Sequence, residues 1–179
     1  MADNGDLELR QLEPGDKVTG LSVGDPAFLP LKTFFRKHAK TYEAQSLART
    51  YVVCEPAEHD KPIAFITLVC GEIETQGDTD LLGDGVTYRY HGYPAVKLAR
   101  LAVDARRRSA GLGRLLVEFA LGLVKEVICP AVGCRFMVVD SKRESVAFYE
   151  SCGFTMLDTD ENRARDEPVM FIDLHKIQV

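Results

Sequence analysis

Arg108-Ser109-Ala110-Gly111-Leu112-Gly113 is the stretch whose residue types and spacing suit chemistry best. It follows an apolar run, Lys97 to Val103, and opens a long segment of helical periodicity. That order predicts strand, glycine-rich loop, helix. Backbone N–H groups are left unpaired at a helix N-terminus, and the helix dipole there favours anions. Gly111 and Gly113 lack side chains, so a phosphate can approach the main chain closely. Arg106, Arg107, Arg108 and Arg114 put positive charge around the same loop. The expectation is a pyrophosphate site; the alternative is a plain strand-to-helix turn that needs glycine only for its geometry. No Lys-Ser/Thr follows Gly113, so the loop is not of the P-loop type, and the chain has no Gly-x-Gly-x-x-Gly.

The elements that must position this loop can be read outward from it. A first strand is expected near Leu7–Leu12, ending at Pro14-Gly15, with residues 1–5 loose and 15–30 as loop. Leu31, Phe34, Phe35, His38, Ala39 and Tyr42 fall near one face of a helix expected over 28–47. Strands are expected at Tyr51–Cys54 and from Ile63 through Val69 to Ile73, with Gly71 as a bulge. Residues 75–93 read as a long loop, and Pro94 precedes the strand that ends at Asp104. Leu112, Leu115, Leu116, Phe119, Leu123 and Val127 give the helix after the glycine loop its apolar stripe. Cys134–Val139 is a strand, Glu144–Cys152 a short helix capped by Gly153, and Phe154–Leu157 and Val169–Leu174 a closing strand pair around a polar loop. Helices covering a mixed sheet place the chain in the α/β (mixed α+β) class.

The 179 residues suffice for one domain, expected to be 1–179. Net charge is −5, which argues against broad nonspecific nucleic-acid binding. No apolar run approaches the roughly 20 residues of a membrane helix, and the acidic N-terminus is not a signal peptide, so a cytoplasmic protein with no membrane association is expected. Five cysteines at irregular spacing favour buried, reduced thiols, and four scattered histidines show no metal-ligand spacing, so no metal is expected.

With these residues in place, the chain resembles the GCN5-related N-acetyltransferase superfamily, whose signature is Arg/Gln-x-x-Gly-x-Gly/Ala. Leu101-Ala102-Val103-Asp104 stands before the loop and a long helix after it. Phe148-Tyr149-Glu150-Ser151-Cys152-Gly153-Phe154, further on, is similar to the family's Phe-Tyr-x-x-x-Gly-Phe element. The resemblance covers roughly 28–174 and is specific over 93–154. Tyr93-Pro94-Ala95-Val96-Lys97, Arg100–Asp104, Gly133-Cys134-Arg135 and Val139-Asp140 resemble a bacterial branch that includes toxin-like enzymes acetylating the amino group of aminoacyl-tRNA. The acidic charge and the Ser141-Lys142-Arg143 sequence, where many members carry an Asn, depart from that branch.

The resemblance implies a central mixed sheet of six or seven strands, flanked by helices. Two parallel strands would splay apart into a cleft for acetyl-CoA as cosubstrate. Leu101, Ala102 and Val103 would pair with the pantetheine, and Arg108, Ser109, Ala110, Gly111, Leu112, Gly113 and Arg114 would hold the pyrophosphate. Tyr149 would serve as general acid to the departing thiolate. Full transfer from a phenol of pKa ~10 to a thiolate of pKa ~8.5 is uphill by about 2 kcal/mol, so a strong hydrogen bond to the sulfur is the more economical role. The amine must be neutral to attack, which costs about 4.6 kcal/mol at pH 7 for a lysine-like amine of pKa ~10.4 and about 1.4 for an α-amine of pKa ~8. Glu72 and Glu74, at a strand end, are the candidate bases, with His91 a weaker one; the absence of a clear base leans towards a low-pKa amine. The acceptor stays open among aminoacyl-tRNA, protein amines and small amines. A homodimer follows from family analogy alone. A catalytically weak acyl-CoA-binding module, acting as a sensor or complex partner, is the reading from another class. The face carrying Arg36, Lys37, Lys40, Arg49 and Arg89 suits either an acidic partner or solvent. Asp140 is either a turn cap or a residue that orients the Tyr149 helix.

Overall fold

A computed structural model describes residues 7–74, 81–83 and 88–177. Its seven strands are β1 (Glu8–Gln11), β2 (Arg49–Cys54), β3 (Ala64–Glu74), β4 (Gly92–Val103), β5 (Phe136–Asp140), β6 (Thr155–Met156) and β7 (Val169–Asp173). The helices are α1 (Leu29–Lys37), α2 (Ala39–Ala44), α3 (Leu112–Leu123), α4 (Cys129–Ala131), α5 (Val146–Ser151) and α6 (Asp160–Ala164). The strand order is β1-β2-β3-β4-β5-β7-β6, so this is the expected mixed sheet, with seven strands. The chain falls into two compact units, one of residues 1–69 and 98–120 and the other of 70–97 and 121–179.

The first unit is built on antiparallel β1–β2–β3 pairing. Val52, Val53 and Cys54 of β2 and Ala64, Phe65 and Ile66 of β3 are fully buried. Both faces of these strands are covered, and their continuous apolar run is the sequence mark of that position. The helix expected over 28–47 divides in two. A 3-10 turn at Pro26–Phe28, capped by the Asp25 carboxylate on the N–H of Ala27, precedes α1. His38, at φ −123°, separates α1 from α2. The apolar face nevertheless survives: His38 donates to the Phe34 carbonyl at 2.8 Å and Tyr42 to the His38 carbonyl at 2.9 Å, so helical bonding carries across the break. Phe35 stacks on Phe65 with ring centroids 4.3 Å apart.

The second unit joins β5 to β4 in parallel, with Ala95, Val96 and Lys97 facing Phe136, Met137 and Val138. β7 flanks β5 antiparallel and β6 closes the edge. One apolar cluster gathers Ile73, Leu82, Tyr93, Ala95, Phe136 and Leu157. Gly71 sits inside β3, whose strand runs on to Glu74. β4 begins before Pro94 rather than after it. The loop expected over 75–93 lies largely outside the described residues, as do residues 1–5. The segment after α3 continues as a π-helical turn, Val124–Ile128, before α4. The polar loop expected between the last two strands contains α6, capped by the Thr159 hydroxyl on the N–H of Asn162.

The described cysteines are all free thiols, as expected, but only Cys54 is buried; Cys70 is exposed. No helix among the described residues is long and apolar enough to cross a membrane. No group of three or more His, Cys, Asp or Glu among them has metal-binding geometry.

Candidate active site

In the first unit the glycine loop is held from beneath. Asp104 directly follows β4 and is 1% exposed. Its carboxylate accepts from the N–H and Nε of Arg106 at 2.9 and 2.8 Å, from Arg106 Nη2 at 2.7 Å, and from the N–H of Ser22 at 3.0 Å. The Arg106 guanidinium, with these N–H donors, holds the Asp104 carboxyl well below the usual carboxylate range despite its burial. Ala105 donates to the Ser22 carbonyl at 2.7 Å, so segment 22–24 runs alongside the loop's entry. Gly24, at φ +74°, allows this approach, since a Cβ there would lie 3.1 Å from the Ala105 methyl. Arg108 sends its guanidinium to the Val23 carbonyl and lies over the Phe28 ring, 5.6 Å from its centroid. The side chain of the signature arginine is therefore engaged with the loop's support.

Beyond Arg108 the backbone turns twice through the left-handed region, at Ser109 (φ 74°) and Gly111 (φ 75°), before α3 begins at Leu112. Residues 106–111 are exposed. Leu112 and Gly113 lie in the first turn of a twelve-residue helix, where the helix supplies no acceptor for their N–H groups. A Cβ built on Gly111 would meet no other atom within 4 Å. This glycine is therefore required for its backbone angle and for open space above it, not for packing. The site suits an oxyanion held by main-chain donors. Arg114 is half-exposed and stands 4.0 Å from Glu118. Leu101 and Val103 are half-buried and Ala102 is buried in the core. On the supposed acidic-partner face, Lys40 donates to the Pro14 carbonyl and Arg49 to Glu43, so two of its cations are occupied internally.

In the second unit Tyr149 lies on α5 and is 7% exposed. Edge-to-face contacts with Phe148 and Phe154, at centroid distances of 5.1 and 5.4 Å, fix its ring. The helix ends as expected at Gly153 (φ 93°), whose N–H donates to Glu150 while Phe154 donates back to Tyr149. The Tyr149 hydroxyl has no hydrogen-bond partner among the described residues, yet it is not sealed from solvent. Burial, then the neighbouring Cys152, push its pKa above the ordinary phenol value. The group is a protonated donor with its hydrogen uncommitted.

The same unit holds a cleft of about 480 Å³ whose lining includes Glu72, Glu74, Lys97, Asp140, Asn162 and Arg165. Both candidate base glutamates thus stand on one cleft, exposed at the end of β3. Glu72 lies against Gly92, where a Cβ would collide with its carboxylate. His91 is exposed beside it in sequence. Asp140, left between two roles by the sequence, takes neither: it forms an ion pair with Lys97 of β4. Asn162 is buried and donates from Nδ2 to the carbonyls of Leu157 and Val169 at 3.0 Å each, while its Oδ1 accepts from the N–H of Val169 at 2.8 Å. Lys97, Asp140, Asn162 and Arg165 were not singled out by the sequence as site residues. Lys97 lies in the middle of β4 and Asp140 at the end of β5, and nothing local in the sequence pairs them.

Residues 47–156 match the model of the acetyltransferase (GNAT) domain. A tRNA-acetylating toxin of Mycobacterium tuberculosis is 28% identical over 152 residues, covering 84% of this chain and 86% of the toxin. Among solved structures, AtaT complexed with acetyl-methionyl-tRNAfMet superposes with a TM-score of 0.77 at 22% identity, over 95% of this chain and 96% of that one. A Tyr-to-Phe mutant of the AtaT toxin, bound to the C-terminus of the antitoxin AtaR and acetyl-CoA, gives 0.73 at 21% identity, over 95% and 94%. With the domain match spanning more than half its length, the chain belongs to the GNAT acetyltransferase family and is an acyltransferase.

Proposed function

We propose that this protein transfers the acetyl group of acetyl-CoA to the α-amino group of an aminoacyl-tRNA. The observation that carries the cosubstrate is the loop after Asp104: two left-handed residues and open space at Gly111 lead into first-turn N–H groups that suit a diphosphate. Ser109 to Arg114 hold the diphosphate through main-chain donors, with Leu101, Ala102 and Val103 lending strand-edge groups to the pantetheine. Arg108 contributes by tying the loop to Val23.

The neutral amine attacks the thioester carbonyl carbon; the C–S bond breaks, and the sulfur leaves as a thiolate. Tyr149 donates its hydroxyl hydrogen to that sulfur. A phenol whose pKa is raised by burial holds its proton more firmly, so the hydrogen-bond role is favoured over complete transfer. The proton of the amine passes to water or to Glu72 or Glu74. An α-amine of pKa ~8 is about one-tenth neutral at pH 7 and about half neutral at pH 8, so the demand on a base is small and an exposed glutamate or water meets it. Similarity to the tRNA-acetylating toxin of Mycobacterium tuberculosis supports the choice of acceptor over protein or small-molecule amines. A homodimer, checked by light scattering, belongs to the same reading.

The test is incubation with acetyl-CoA and aminoacylated tRNA, then hydrolysis of the ester and mass spectrometry of the released amino acid. N-acetyl-amino acid is expected. Free CoA release without any acetylated amine, or acetylation confined to lysine side chains, overturns the acceptor.

A further inference from the structure

Tyr149 stands in a helix too short to hold itself. α5 has six residues, far fewer than the roughly 12–15 that an isolated helix needs in water. Its N-cap, Ser145, makes no side-chain cap hydrogen bond, and its first turn carries no acidic residue. The C-terminal end is fixed by the Gly153 turn and by Phe154 donating to the Tyr149 carbonyl. The N-terminal end must be held from outside the helix.

The contacts that hold it lie in the turn before α5. Ser141 is fully buried, and its N–H donates to the Pro168 carbonyl at 2.9 Å. Ser145 donates to the Lys142 carbonyl at 2.9 Å, closing the 3-10 turn Arg143–Ser145 that runs directly into α5. From that turn the Arg143 guanidinium donates through Nη2 to two carbonyls, those of Arg163 and Arg165, 20 and 22 residues further on. Arg163 lies in the last turn of α6 and Arg165 is its C-cap, where a helix leaves carbonyls without donors of its own. α6 is itself anchored, since Asn162 bonds to the main chain of Leu157 and Val169. Phe148 belongs to α5 and moves with it, so its contact orients the Tyr149 ring only within the helix. Arg143 ties the helix to a different element.

We propose that Arg143 is a positioning residue for the reaction: it clamps the N-terminal end of α5 to α6 and so keeps the Tyr149 hydroxyl at the leaving sulfur. This rests on the function proposed above, in its use of Tyr149, and goes beyond it in naming what holds the donor in place. The demand is strict, because a displacement of about 1 Å at a reacting group can cost about 10²-fold in rate.

The experiment uses the full chain and Arg143→Met, which keeps the stem of the side chain and removes its donors. With acetyl-CoA and aminoacylated tRNA, kcat is expected to fall by about tenfold, while KM for acetyl-CoA changes by less than about twofold. Arg143→Lys, whose ammonium still reaches a carbonyl, is expected to recover part of the rate. The decisive comparison is Arg143→Met in the Tyr149→Phe background. There it is expected to cost less than about twofold, since the hydroxyl it would misplace is gone. A loss as large in that background as in the wild type overturns the proposal. Amide hydrogen exchange tests the clamp without turnover. In Arg143→Met the Tyr149 and Glu150 amides are expected to exchange about tenfold faster, with the Val138 amide of β5 unchanged. Unchanged exchange in α5 overturns the clamp, as does equal acceleration at Val138, which would mark general loosening. If Tyr149→Phe alone keeps the full rate, or no acceptor is acetylated, the function proposed above fails on that point. Acceleration confined to α5 would still uphold the clamp.

Discussion

The carboxylate of Asp104 accepts the backbone N–H of Ser22 at 3.0 Å, across 82 residues of sequence. This bond makes a loop before α1 part of the platform for the glycine loop. The same carboxylate caps the 3-10 turn at Ala105–Arg107 and holds Arg106, so one buried group fixes the entry to Gly111 from two sides.

Asp104→Ala is expected to cost about 1–3 kcal/mol, because the half-buried N–H of Ser22 and the cap at Arg106 lose their acceptor. The sign with pH follows from the direction of the shift. The folded-state carboxyl is held below its ordinary value, chiefly by Arg106, so its stabilisation is fully present above about pH 4. It is lost as pH falls towards the folded-state value. Urea denaturation of both proteins from pH 7 down to pH 3 checks this: the gap between them should narrow on the acid side.

Gly111→Ala separates backbone strain from ligand approach. Nothing lies within 4 Å of the added Cβ, so the fold loses only the left-handed penalty, about 1–2 kcal/mol. If main-chain donors grip a diphosphate here, the methyl stands where the anion must come close. Acetyl-CoA affinity, read by calorimetric titration, should then fall by about tenfold or more, while the melting temperature drops only by a few degrees. A variant that melts lower but binds acetyl-CoA as before would remove the loop from the site.

Tyr149→Phe leaves the ring and its contacts with Phe148 and Phe154 in place and deletes a hydroxyl without a hydrogen-bond partner among the described residues. Stability should therefore change by less than about 0.5 kcal/mol. The rate should fall by about 10²-fold in kcat, with KM for acetyl-CoA little changed, as expected for a donor that matters only while the thiolate leaves. Stopped assays of acetyl-amino-acid product against melting curves check both halves of this expectation.

The parts legible in the sequence are those set by local chemistry. Gly111 and Gly153 were readable because a left-handed residue after a strand or helix leaves few other choices. The strands β2 and β3 were readable from continuous apolar runs. Lys97–Asp140 was not legible, because the pair depends on the register of two strands 43 residues apart, and nothing local specifies that register. Segment 20–28 read as plain loop, since its role comes from carbonyls of Val23 and Ser22 meeting Arg108 and Ala105, and carbonyls carry no sequence signal. The helix α6 was hidden in a run of charged residues without an apolar stripe. Its stability comes from Asn162 rather than from an amphipathic face.

That dependence gives the last prediction. Asn162 is 3% exposed and makes three side-chain bonds to the main chain of Leu157 and Val169, across the two strands that close the sheet edge. Asn162→Ala leaves the Val169 N–H without its acceptor, while the carbonyls of Leu157 and Val169 keep the N–H donors of Thr159 and Leu157, and should cost about 1–3 kcal/mol. Asn162→Asp is more informative. The carboxylate can still accept from Val169 N–H, but it faces the two carbonyls with negative charge and no donor. Below the pKa of the buried acid the protonated group recovers one donor, so Asn162→Asp should be less destabilised near pH 4 than at pH 8, the reverse of the Asp104 effect. Hydrogen exchange of the Val169 amide measures this directly: fast exchange in Asn162→Ala, with protection in Asn162→Asp returning as pH is lowered and intrinsic rates are corrected for. Unchanged protection in both variants would mean that α6 is held by its Thr159 cap alone.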